Sequence, residues 1–131
     1  MIVGTGTDLI EIDRIERSIA RYGQRFLDRV YTAAEQAYCR SKKSSAESFA
    51  ARFAAKEAGA KALGTGISHG IGWPELEVVR EPTGKPTLIL HGRAAERGRA
   101  LGVTHISLSL THSRTAALAV VLMEKESAGN L

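Results

Sequence analysis

The stretch from Ser48 to Leu63 constrains the fold of this chain more than any other. It reads Phe49-Ala-Ala-Arg52-Phe-Ala-Ala-Lys56-Glu57-Ala-Gly-Ala-Lys61-Ala-Leu63 and runs into Gly64-Thr-Gly66. Alanine loses least on entering a helix and glycine commonly ends one, so the composition predicts a helix over 48–63. Its charges sit in an unusual place. On a helical wheel Glu57 shares a face with Ala50, Phe53, Ala54 and Lys61, where a solvent face would be more polar. One reading is an exposed Glu57-to-Lys61 pair at i,i+4, worth about 0.3–0.5 kcal/mol. The other is a carboxylate on a packed face, which needs a cation from Lys61 alone or with a metal.

The N-terminal segment, Met1-Ile-Val-Gly4-Thr-Gly6-Thr-Asp8-Leu-Ile10, reads as a strand leading into a helix. Gly4 and Gly6 are poor strand residues and signal close approach of something to the backbone. The third glycine of a dinucleotide fingerprint is missing. Asp8 has two readings: an N-cap for the helix that follows, or an ionised carboxylate that needs a partner or a metal. Ile12, Ile15 and Ile19 form one apolar helix face, with Arg14, Arg17, Arg21 and Arg25 nearly opposite and an end near Gly23. Thr32 and Glu35 have capping-box spacing and predict a helix over 33–41.

Beyond a glycine-rich loop reaching Trp73-Pro74, Glu75–Arg80 and Thr87–His91 read as two strands joined at Pro82-Thr-Gly84. Arg93–Leu101 reads as a short helix, and Val103–Leu110 and Ala116–Met123 as apolar strands. The expected class is α+β, an antiparallel sheet with packed helices. One domain is expected over 1–123, followed by a polar tail over 124–131.

Composition narrows the function classes. The 131 residues are 44% hydrophobic and 24% charged, those of an ordinary globular domain. The net charge of +4 is concentrated. Residues 40–61 hold Arg40, Lys42, Lys43, Arg52, Lys56 and Lys61 against Glu47 and Glu57, and residues 14–29 hold five arginines against Glu16 and Asp28. Aromatic residues are only 5%, too few and too scattered for a base-stacking surface, so no nucleic-acid partner is expected. Cys39 is alone, and His69, His91, His105 and His112 lack zinc-ligand spacing. Neither a signal peptide nor an apolar run of membrane-spanning length is visible, so a cytoplasmic protein with no membrane partner is expected. Two carboxylates and a lysine in apolar settings, beside basic clusters and glycine loops, suit a site that handles phosphate with a hard cation such as Mg²⁺.

Four motifs occur in order: Gly4-Thr-Gly-Thr-Asp8-Leu-Ile-Glu-Ile, Arg52-Phe-Ala-Ala-Lys-Glu57-Ala with Lys61, Gly84-Lys-Pro86, and Ser107-Leu-Ser-Leu-Thr-His112. Together they resemble the holo-acyl-carrier-protein synthase type of 4′-phosphopantetheinyl transferase. The resemblance implies transfer of the phosphopantetheine arm of coenzyme A to a serine of apo-acyl carrier protein, releasing adenosine 3′,5′-bisphosphate, in fatty acid biosynthesis or a related pathway. It implies Mg²⁺ and a homotrimer with active sites between subunits. It assigns Asp8 and Glu57 to Mg²⁺ and Lys61 to the phosphates, with Glu57 or a metal-bound water taking the serine proton. It places Arg52 and His112, with Lys42 or Lys43, at the 3′-phosphate and adenosine end. Gly64, Gly66, Gly84 and Pro86 would shape the nucleotide channel. Arg14, Arg21 and Arg25, possible occupants of a merely solvated face, would meet the acidic carrier protein. Two positions depart from the pattern: Ser18 stands where a larger apolar contact is common, and Tyr31 where Phe is usual.

Overall fold

The computed structural model describes residues 1–127. Its first strand, β1 (Ile2–Glu11), passes directly into α1 (Ile12–Tyr22). Then follow α2 (Gln24–Val30), α3 (Ala33–Arg40) and the long α4 (Ser45–Ala62). A single 3₁₀ turn at Trp73–Glu75 leads to the hairpin β2 (Leu76–Arg80) and β3 (Pro86–Leu90). The chain closes with α5 (Gly92–Leu101), β4 (His105–His112) and β5 (Ala116–Glu124). The two sheets are antiparallel, one of order β1-β5-β4 and one made of β2 and β3, so the α+β expectation holds.

The alanines of α4 explain its central position. Ala50, Ala54, Ala55, Ala58 and Ala60 have no exposed surface. From Gly4 to Ile10, beyond a register shift near Ile2, the even-numbered residues of β1 face this helix. A Cβ on Gly4 would strike the Ala62 carbonyl and one on Gly6 the Ala58 carbonyl, so strand and helix touch backbone to backbone. This is the close approach that the two glycines signal in the sequence. On another side a Cβ at Gly59 would lie 2.7 Å from Leu88 and 2.8 Å from Leu76, so the hairpin packs tightly on the same helix. β5 adds Ala117, Ala119, Val121 and Met123, all buried beneath the sheet.

The opposite face of that sheet carries no charge over three rows set by register. They are Thr5–Leu122–Ser107, Thr7–Val120–Ser109 and Leu9–Leu118–Thr111. Leu9 is 67% exposed there.

Several expectations need correction. Asp8 lies inside β1, and α1 is preceded by Glu11 with no side-chain cap, so the capping reading of Asp8 fails. A seven-residue helix, α2, forms after Gly23, whose φ of 56° breaks the chain between the two helices; the sequence reading had no separate element there. Glu124 ends β5, and Met1 and Lys125 exchange backbone bonds, so the expected tail begins later. Its last part, 128–131, lies outside the described residues. The Thr32–Glu35 capping box forms as expected.

Lys56 is the largest surprise. It belongs to the basic run over 40–61 but is wholly buried, with its ammonium 2.6 Å from the equally buried Glu35 carboxylate. It also donates to the carbonyls of Leu76 and Trp73. Glu35 in turn accepts from the backbone N–H groups of Thr32 and Val78. Burial pushes the Lys56 ammonium below its ordinary range, with Glu35 opposing that shift. The pair ties α3, α4, the 3₁₀ turn and β2 together. Removing one partner leaves the other charge buried alone, so Lys56→Met is expected to cost about 3–5 kcal/mol of stability, read by chemical denaturation.

Candidate active site

Side-chain alternation carries Asp8 to the helix-facing side of β1, two residues beyond Gly6. There Lys61 of α4 donates to Asp8 Oδ1 at 3.2 Å and to the Thr7 carbonyl at 2.9 Å. The Asp8 side chain is only 17% exposed, while Lys61 is half exposed. Glu57, one turn earlier on α4, accepts a 2.9 Å bond at Oε1 from the indole N–H of Trp73. The Glu57–Lys61 pair considered from spacing is therefore not the one formed. Lys61 turns to the strand and Glu57 to the 3₁₀ turn. Gly64 and Gly66, with φ of 80° and 63°, follow the C-terminus of α4 at the Lys61 end.

A second cluster is cationic. Lys42, Lys43, Arg52, Arg80, Pro86 and His112 line a cleft of about 360 Å³ with Glu47. The Arg52 guanidinium lies 4.2 Å from the Tyr38 ring centroid, the Lys42 ammonium 4.9 Å and the Arg80 guanidinium 5.1 Å, so one ring is shared by three cations. Arg52 is 4% exposed and its Nε is buried without a hydrogen-bond partner. His112 Nδ1 is 3.8 Å from the Glu47 carboxylate, the one acid in the lining besides these bases. Gly84, at φ 91°, closes the hairpin turn and its carbonyl accepts from Arg80, which is how Gly84-Lys-Pro86 holds that arginine at the cleft. A cleft with this lining has the charge to hold a polyanion.

The two clusters do not meet within one chain. Arg52 and Lys61 are nine residues apart on α4, which at about 100° per residue sets them on opposite faces, with about 13 Å of axial rise between them. Arg52, Pro86, Gly84 and His112 fall at one cluster, and Asp8, Glu57, Lys61, Gly64 and Gly66 at the other.

The arginines of α1 form a third feature. Arg14, Arg17 and Arg21 edge a groove with Ser18 and Tyr22. Arg14, Arg25 and Arg29 line a cleft of about 510 Å³ whose floor includes Phe53 and Trp73, next to Glu57. Arg17 is held by Asp13 at 3.1 Å. The small Ser18 side chain lines both spaces.

Sequence reasoning missed Trp73, Tyr38, Arg80 and Arg29. No local spacing ties residue 73 to 57, or 80 to 52; the hairpin and the loop before it bring them in. Cys39 carries no chemistry here. It is fully buried, and burial pushes its thiol up to about 11, with Arg52 pulling the other way. Iodoacetamide at pH 7.5 is accordingly expected to leave folded protein unmodified and to label Cys39 on denaturation, as read by intact mass.

Residues 4–121 match the 4′-phosphopantetheinyl transferase superfamily. The chain is 56% identical over 124 residues to the holo-[acyl-carrier-protein] synthase of Solibacter usitatus, spanning 95% of this chain and 99% of that protein. Among solved structures it resembles the Neisseria meningitidis holo-[acyl-carrier-protein] synthase, with a TM-score of 0.88, 34% identity and coverage of 95% of this chain and 100% of that one. It also resembles a Bacillus anthracis holo-(acyl-carrier-protein) synthase solved in complex with CoA (3′,5′-ADP), with a TM-score of 0.79, 36% identity and coverage of 96% and 99%.

Proposed function

The chain belongs to the 4′-phosphopantetheinyl transferase superfamily as a holo-[acyl-carrier-protein] synthase, and from that premise we propose how its clusters divide the reaction. The carrier serine attacks the phosphorus that bears the pantetheine arm in coenzyme A. The bond to the other phosphate breaks, and adenosine 3′,5′-bisphosphate leaves. The observation that carries this reading is the meeting of Asp8 with Lys61 beside Glu57 on the same helix face.

The donor set fits Mg²⁺. Asp8 and Glu57 offer hard oxygens, and among the described residues no group of three or more His, Cys, Asp or Glu gathers. Two carboxylates, with the remaining positions left to water and phosphate oxygens, suit Mg²⁺ rather than an all-protein cage. When bound, Mg²⁺ would neutralise charge on the pyrophosphate and polarise the phosphorus under attack. Lys61 bridges to Asp8 in the free protein and would turn its ammonium to the phosphates. The serine proton leaves toward Glu57 or a water that Asp8 or Glu57 positions. Gly64 and Gly66 keep the end of α4 clear of side chains where the pyrophosphate would pass.

The cationic cleft suits the 3′-phosphate and adenosine end, with Arg52, His112, Lys42 or Lys43 and Arg80 on the phosphate and Pro86 and Gly84 on the nucleotide. Because it lies on the other face of α4, a neighbouring subunit must bring its own cleft to Asp8, Glu57 and Lys61. The uncharged outer sheet face supports such assembly, since its exposed Leu9 and the β5 residues Leu118, Val120 and Leu122 gain from burial. A homotrimer is the assembly proposed. Arg14, Arg21 and Arg25 present positive charge around the cleft beside Trp73, which suits an acidic carrier protein and should speed its capture at low salt. Among the described residues no helix is long and apolar enough to cross a membrane. A cytoplasmic role supplying carriers for fatty acid synthesis is part of the proposal and rests on the family alone.

Asp8→Asn and Glu57→Gln are each expected to lower turnover at least about 100-fold while melting like the parent, as read by carrier-protein mass shift. The shared site makes a sharper prediction. Glu57→Gln and Arg52→Ala chains, each inactive alone, are expected to regain about a quarter of parental activity when refolded together, since about one interface in four then pairs two intact halves. No recovery from demonstrably mixed oligomers would remove the shared-site assignment.

A further inference from the structure

The indole of Trp73 does more than fill space. We propose that Trp73 is a positioning residue for Glu57, holding one carboxylate oxygen so that the other alone serves the reaction. The inference rests on the reading of Glu57 as a working carboxylate. The Trp73 N–H donates to Glu57 Oε1 at 2.9 Å, and no cation pairs with Glu57 among the described residues, because Lys61 is turned to Asp8.

Trp73 is itself held on several sides. Its ring packs against Phe53, with centroids 6.0 Å apart and planes tilted by 30°. The Arg29 guanidinium lies 5.7 Å from the ring centroid. Its carbonyl accepts from the buried Lys56 ammonium at 3.2 Å. The Lys56–Glu35 pair therefore reaches Glu57 through one residue. A phenyl ring would keep an aromatic face toward Phe53 and Arg29, but it has no N–H to donate to Glu57. Glutamate has three side-chain torsions and loses rotamer entropy when fixed. A rigid donor on Oε1 moves part of that cost into folding, where it no longer opposes binding. Partners that orient a metal-binding carboxylate commonly change affinity or activity about 10–100-fold.

Trp73→Phe keeps a ring and removes the donor. Its expected signature is a parental melting temperature, an Mg²⁺ concentration for half-maximal turnover raised about 10-fold or more, and recovery of turnover in excess Mg²⁺. A residue that only supports the fold would not be rescued by the ion. A second readout needs no variant at this position, since the chain has a single tryptophan. Adding Mg²⁺ with coenzyme A is expected to change the tryptophan emission of the parent and to leave that of Glu57→Ala unchanged. Parental turnover and Mg²⁺ dependence in Trp73→Phe would overturn the inference, as would an emission that ignores Mg²⁺ and coenzyme A at concentrations that saturate turnover. Parental turnover in Glu57→Gln would instead overturn the underlying assignment of Glu57. Loss of turnover there with no effect of Trp73→Phe defeats the positioning role alone.

Discussion

The backbone contact between β1 and α4 is the constraint on which the rest of this structure depends. Gly4 and Gly6 lie against the carbonyls of Ala62 and Ala58, where any Cβ would collide. That contact fixes the strand's height along the helix. Alternation then leaves Asp8, the next helix-facing polar residue, within reach of Lys61. The same strand pairs with β5, which buries four side chains against the helix. Small residues on α4 are thus what allows one helix to be covered by a sheet, a hairpin and other helices at once. The cost is that its few polar residues must find partners inside or at the rim of that packing.

Each of those polar residues finds a different solution. Lys56 is neutralised by Glu35 and saturated by two carbonyls, a buried pair that joins four elements. Arg52 lays its guanidinium on Tyr38 and keeps one nitrogen unpaired, in company with Lys42 and Arg80. Lys61 reaches the strand, and Glu57 reaches Trp73. Only the first is a closed structural solution. The other three leave charge or hydrogen-bonding capacity facing a surface, where a ligand can take it up. The basic residues of the chain therefore divide into a buried lysine neutralised by Glu35, a cation-lined cleft on one side of α4, and an arginine-lined cleft beside α1.

Much of this was legible in the sequence because it is local. The end of α4 just before Gly64, the Thr32–Glu35 capping box, the isoleucine face of α1 and the hairpin turn at Gly84 all follow from spacings of a few residues. The motif set that carried the family resemblance was legible for the same reason, since each motif is a short run. The capping role weighed for Asp8 failed because strand pairing with Ala119 continues past it to Glu11. The short α2 gave no separate signal, as its start depends on the positive φ of Gly23.

The sequence by itself determined the class of the fold, the place of its hairpin and of every helix but α2, and which residue types could handle a phosphorylated ligand. Which charge meets which was decided only by tertiary structure. Spacing shows that Lys61 can reach Glu57, but the strand brought by two glycines offers it Asp8 and a carbonyl instead. Composition also sets Lys56 in the basic run over 40–61, but Glu35 of α3 meets it in the core. The reason is common to both. The partner of a long charged side chain is chosen by burial and by the groups that distant segments deliver, and neither is written in its neighbours along the chain.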